Sequence, residues 1–169
     1  MIGYSEVLQT MAAMIIFSMI MLNANLMIQR NSMMQVESEL EQEVIALGQE
    51  IIDEARTKAY DAATVSAAAP PSLIPGGFTS IGPGGAETTR RSFNDFDDYD
   101  GWSDTFTTEH GDFQVRSEVF YVDPVYYQKT GSKTTFKKIV VVVTSEFLRT
   151  GSNVPKEYTP EFIRNYYAD

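Results

Sequence analysis

An apolar run from Val7 to Ile28 constrains this chain more than any other feature. The lone carboxylate of Glu6 heads it, and an acidic, helix-prone stretch follows to about Tyr60 with no proline between. As a helix rising about 1.5 Å per residue, the run extends roughly 33 Å, enough to cross a bilayer. It carries Gln9, Thr10, Ser18, Asn23 and Asn25 among its apolar residues, and no Lys or Arg precedes it. A secretory signal would need a basic leading region and a small-x-small cleavage site. Asn23-Ala24-Asn25 is a poor substitute for that site, so the segment is expected to be retained. A single hydrophobic spike on an acidic body suggests a subunit that a membrane holds and that later packs against copies of itself.

The pattern predicts one long helix over 4–60. Ser5 is positioned to cap it, and Glu6 falls in the first turn, where the helix dipole favours a negative charge. Beyond Arg30 the helix turns from apolar all round to amphipathic. Leu40, Val44, Leu47, Ile51 and Ala55 recur at steps of three and four on one face, while Glu37, Glu41, Glu43, Glu50, Asp53 and Glu54 lie mostly off it. Residues 1–30 thus form the hydrophobic helix, and 31–61 an amphipathic continuation that lies on a globular domain. Gly48 weakens the helix by about 1 kcal/mol relative to alanine.

Residues 62–93 shift to Ala, Ser, Thr, Pro and Gly, with Pro70-Pro71, Pro75-Gly76-Gly77 and Pro83-Gly84-Gly85. That density excludes a continuous helix or central strand and predicts a long surface loop, whose composition also suits O-glycosylation. Residues 94–169 hold an acidic turn and then a β-rich region. Phe113, Val115, Val119 and Tyr121 alternate on one side of a strand over 112–122, which Asp123-Pro124 ends. Thr130-Gly131-Ser132 marks a turn before a strand over 136–144. Its centre, Ile139 to Val143, is apolar on both faces, as in a strand covered on two sides by the helix and by the loop or a neighbour. The segment 160–167 is a short strand or a docked tail.

The net charge of −10 argues against nucleic acid as a partner, because a phosphate backbone requires a basic face. The chain has no cysteine and one histidine, His110, which removes thiolate chemistry and leaves little for a His-based triad. No nucleophile–base pair, phosphate-cradling loop or zinc spacing emerges. An enzyme is therefore the least favoured reading.

Two places invite a sharper reading. Buried in a helical assembly, Glu6 would need a positive partner, and the N-terminal amine of an adjacent chain would supply one and set axial register. Solvated at a helix start, it needs only the dipole. The run Asn94 to Asp104 places Asp95, Asp97, Asp98, Asp100 and Asp104 around Gly101, oxygen ligands of the kind a calcium ion takes. The spacing does not match a twelve-residue calcium loop and lacks its bidentate glutamate, so a solvated turn with capping bonds is the competing reading. The methionines of the helix suit adaptable packing. The tyrosines (Tyr121, Tyr126, Tyr127, Tyr166, Tyr167) suit sheet pairing and surface contact. Arg90-Arg91 pairs with the acidic helix or a neighbouring subunit, or is simply solvated.

This order of features resembles the type IV pilin and pseudopilin superfamily: an apolar helix with Glu6 near its start, an amphipathic extension, a variable loop, then an antiparallel sheet. The turn Phe96-Asp97-Asp98-Tyr99-Asp100-Gly101-Trp102 is similar to one in pilin-like proteins of the minor, mannose-sensitive class. Val119 to Asp123, followed by Lys137 to Thr144, resembles their two-strand signature. Gly3-Tyr4 is the nearest echo of the family's processing junction, and removal of Met1 alone would give the more family-like spacing. No cysteine pair staples the C-terminal region.

The resemblance implies an α+β fold with the long helix packed on the sheet. It implies a homo-oligomeric helical filament at the cell surface, built from an inner-membrane pool by pilus assembly machinery, with Glu6 neutralising a neighbour's amine. It implies no cofactor apart from the calcium reading above. The alternatives are a minor pilin or pseudopilin of a pilus or type II secretion machine, and a single-pass anchored binding domain that never polymerises.

Overall fold

A computed structural model describes residues 3–65, 71–149 and 154–168. The expected helix is present as one continuous element, α1, over Tyr4–Thr57. It starts at Tyr4 as expected, but Ser5 is not its cap. The Glu6 and Val7 N–H groups donate to the Gly3 carbonyl at 3.0 and 3.3 Å, so the chain enters the helix from Gly3 and Ser5 lies inside the first turn. Its end comes three residues early for a tertiary reason. The Ala59 N–H donates to Asn94 O at 3.2 Å and the Phe96 N–H to Ala59 O at 2.9 Å, so the backbone leaves the helix to pair with the acidic turn.

The chain divides into two compact units, residues 1–40 and 41–169. In the first, every residue from 3 to 39 is exposed. The Thr10 and Ser18 hydroxyls donate back to the Val7 and Met14 carbonyls, each at 2.8 Å. These polar groups are satisfied inside the helix, which is how an apolar helix tolerates them in a medium without water.

In the second unit, α1 packs on a five-stranded antiparallel sheet: β1 (Ser103–Thr108), β2 (Gly111–Tyr121), β3 (Phe136–Arg149), β4 (Pro155–Tyr158) and β5 (Glu161–Asn165). β3 is the spine. β2 pairs along one side of it, while β4 and β5 share the other. Val44, Ile51 and Ala55 of the helical stripe are buried as expected, with Ile52 beside them and Leu47 half-buried. Gly48 is the point of closest approach: a Cβ there would lie 2.6 Å from Pro160 Cγ. The residue that weakens the helix thus lets the β4–β5 link come against it.

Two expectations need correction. β3 closes only one face, where Lys137, Ile139, Val141, Val143, Ser145 and Leu148 are buried; Val140 and Val142 are half-buried. Their cross-strand neighbours on that open face are Glu118, Glu161 and Arg116. The segment 62–93 is not a surface loop throughout. It opens with the short helix α2 (Ala62–Val65) and sends Phe78 into a core with Tyr60 and Tyr121, against which Ile74, Ile81 and Tyr166 pack. Residues 66–70 lie outside the described part, as does the site of any Met1 removal. β1 and β4 were not foreseen, and the closing segment resolves as the strand β5.

Candidate functional site

The spike and its carboxylate come first. α1 contains a stretch long and apolar enough to cross a membrane, with a mean hydropathy of 2.0 over its best 18 residues. Leu8, Ile15, Ile16, Phe17, Ile20 and Leu22 are each more than half exposed. Glu6 occupies the third position of the helix, and its Oε2 accepts the Gly3 N–H at 3.3 Å. This back-reach satisfies one of the donors that every helix start leaves open. Among the described residues, the other carboxylate oxygen has no partner.

The acidic turn is not the solvated loop of the competing reading. Asp95, Asp97 and Asp98 are 2%, 1% and 1% exposed, within or next to a single 3-10 turn over Asp97–Tyr99. Asp95 Oδ1 accepts the N–H groups of Asp97 and Asp98 at 3.0 and 3.2 Å. Asp98 Oδ2 accepts those of Asn94 and Asp95 at 2.7 and 3.1 Å. Asp100 Oδ1 accepts the Val119 N–H at 2.9 Å, tying the turn to β2. Asp104 stands apart, exposed on β1 and bonded to the Thr105 N–H at 2.8 Å. The five candidate calcium ligands therefore do not converge. Among the described residues no three His, Cys, Asp or Glu side chains form a group able to hold a metal.

A buried lysine holds the turn in place. Lys137 is fully buried on β3, with its Nζ 2.8 Å from Asp61 Oδ2, 3.0 Å from the Tyr60 carbonyl and in contact with Asp97 Oδ1. Its ammonium also lies 4.6, 5.4 and 5.8 Å from the ring centres of Tyr60, Tyr121 and Phe78, an aromatic box that favours a cation.

Asp61 and Asp97 are held differently. Asp61 Oδ1 accepts the Thr79 N–H and hydroxyl at 2.9 and 3.1 Å and the Ala63 N–H at 3.1 Å. Burial works to raise the Asp61 carboxyl, but the bond to Lys137, its charge and those N–H groups bring it below the ordinary aspartate range. Asp97 Oδ1 meets Lys137, no N–H donor reaches its Oδ2, and its carboxyl faces that of Asp95, with which it shares a hydrogen bond. Burial raises it above the ordinary range despite the ammonium. Asp95 is pushed up to about 8, by burial first and then by the charges of Asp97 and Asp98.

Sequence reasoning placed Lys137 in the strand signature and assigned it nothing more. The signal was present, because Lys137 is in phase with Ile139, Val141 and Val143, so alternation alone puts it on the buried face. A lysine there needs an anion. The pairing of Arg90 with the acidic helix is realised: its guanidinium meets Glu54 and lies 2.8 Å from Glu50 Oε1, with Trp102 5.6 Å away. His110 Nδ1 lies 2.9 Å from Glu43 Oε2, a contact between the β1–β2 turn and α1. Tyr121 and Tyr166 serve the core, whereas Tyr126 is 77% exposed. Compared with known protein families, curated proteins and solved structures, the chain matches none.

Proposed function

We propose that this chain is the structural subunit of a type IV pilus-like extracellular filament, stored in a membrane by residues 4–28 and assembled through them. The observation that carries the reading is the uncovered apolar surface of α1: no residue from 3 to 39 is buried within its own chain. Apolar surface of this extent is covered by lipid, by another protein or by copies of itself. A helix that is apolar all round, with one carboxylate at its head, suits two of these environments in succession. In lipid the spike is a membrane span. In a fibre the spikes bundle into a dry core, and each Glu6 meets the amine of a neighbouring chain.

The energetics are sufficient. Moving half of the spike from water into a bundle removes several hundred Å² of apolar surface, on the order of 10 kcal/mol per subunit before ordering costs. Hydrophobic contact is not directional, so it supplies strength without register. A charge pair in that dry core supplies register, because a buried Glu6 without a partner is heavily penalised. The body faces outward and has no catalytic role in this reading.

Glu6→Ala tests the assignment in the native source. Fibres should fall by at least about tenfold while the protein stays in the membrane fraction, because the pair is lost and the span is not. Normal fibres from the variant would remove Glu6 from the mechanism. Low copy number in otherwise intact fibres would make this chain a minor pilin or pseudopilin.

A further inference from the structure

The cluster around Lys137 brings a primary amine and carboxyl groups into contact in a space that excludes water. We infer that Lys137 and Asp97 condense into an intramolecular amide, with Asp61 as the proton relay and Tyr60, Tyr121 and Phe78 as the box that holds the amine. This inference is independent of whether the chain polymerises.

Three features of the geometry carry it. Proximity is the first. Nζ is in direct contact with Asp97 Oδ1, on a lysine 0% exposed and an aspartate 1% exposed. Holding the two reactants in one place makes the condensation intramolecular and removes the entropy cost that keeps free amines and carboxylates apart.

The second is the difference between the two acids. Asp61 is fixed as a carboxylate by the three hydrogen bonds to Thr79 and Ala63, which makes it a poor electrophile and a weak base; its place 2.8 Å from Nζ, and not its basicity, makes it the acceptor of the proton. Asp97 Oδ2 accepts no N–H donor, and the group beside its carboxyl is the carboxyl of Asp95, so the oxygen that must leave is held less firmly than those of Asp61. The third is the dryness of the site. The reverse reaction needs a water molecule, and Lys137, Asp61 and Asp97 are all closed to solvent.

The step balances without any outside reagent. Nζ gives one proton to Asp61, and its freed lone pair attacks Asp97 Cγ to form the C–N bond. The bond from Cγ to Oδ2 then breaks. Of the three ammonium protons, one remains on the amide nitrogen and two depart with Oδ2 as water, the second of them returned by Asp61. Neither oxidation nor reduction occurs. Two charges leave the core, and Asp61 keeps its own charge on its backbone donors. The link would join β3 to the 3-10 turn and close a loop that contains β1 and β2.

Mass spectrometry of the full chain, purified in detergent and denatured, tests the inference. The intact mass should be lower by one water than the mass its own termini require. Trypsin should fail to cut after Lys137, and a branched peptide should join the segments that contain Asp97 and Lys137. Linear peptides with a free Lys137 amine as the main species would overturn the proposal and leave the cluster a plain ion pair. K137R should restore the linear mass. D61N should slow formation of the linked form in freshly made protein by about a hundredfold or more, the usual contribution of a positioned proton carrier, and so lower the linked fraction. An unchanged linked fraction in D61N would overturn the role of Asp61, while the wild-type peptide map decides the bond even if a variant fails to fold.

Discussion

The two units of this chain handle burial in opposite ways. Residues 3–39 present apolar side chains and bury none of them. Residues 41–168 are acidic and mixed in sequence, yet they bury Asp61, Asp95, Asp97, Asp98, Lys137 and Arg164. An intrachain accounting explains the second and fails for the first. Each buried charge of the body finds a cation, a backbone N–H or an aromatic face, whereas the spike has no internal partner for its apolar surface. Self-sufficiency in the body and incompleteness in the spike are what a subunit needs if its body stays folded while its helix moves between lipid and a bundle.

That contrast predicts that damage to the body leaves the spike's behaviour alone. The largest effect belongs to Lys137→Ala, which strands Asp61 and Asp97 in the core. As an ion pair this costs about 3–5 kcal/mol, and where the amide has formed the loss of its cross-link adds to that. Urea unfolding followed through Trp102, the single tryptophan, measures it. Membrane partition of the variant should be unchanged. A loss under about 1 kcal/mol would mean that the cluster is far wetter than its burial implies.

Gly48→Ala comes next. The added Cβ meets the stiff ring of Pro160 at 2.6 Å, an overpacking that costs about 1–3 kcal/mol and outweighs the roughly 1 kcal/mol gain in helix propensity. A net loss of about 1 kcal/mol in the same assay is expected, and a net gain would show that the β4–β5 link yields easily.

A third test is the pH dependence of the body. Asp95 titrates at about 8 in the folded state against an ordinary 3.8, so above pH 4 the folded chain holds a proton that the unfolded chain has lost. Stability must then fall as pH rises, with the loss complete only beyond pH 8. Asp61 acts in the other direction: its contribution is full above its ordinary 3.8 and is lost as pH drops through its lowered value. The two place the optimum in mild acid. The melting temperature at pH 5 should exceed that at pH 8 by on the order of 10 °C, whether or not the amide forms, because burial is the main cause of the Asp95 shift. A flat profile would show that Asp95 reaches solvent.

The fold was largely legible from periodicity. The step of three and four through Val44, Ile51 and Ala55, and the alternation Phe113-Val115-Val119-Tyr121, each describe one buried face, and burial of one face is what periodicity reports. Helix ends and the acidic turn were less legible, because partners far along the chain decide them. Ala59 leaves α1 to pair with residues near 95, and Asp97 is buried because Lys137 stands opposite it. A run of aspartates read alone looks solvated; only the lysine in phase on β3 indicates otherwise. Phe78 was hidden by the glycines and prolines around it, which describe backbone freedom and not what a single aromatic side chain does.

The central claim is that the uncovered spike finds its cover in copies of itself. Electron microscopy of material sheared from the native source, with peptide mass mapping of what is sheared, tests it most directly. The account predicts thin fibres in which this chain is the principal protein and its first forty residues are protected from protease. A membrane-resident monomer, with no fibre containing it and no protection outside lipid, would contradict the account.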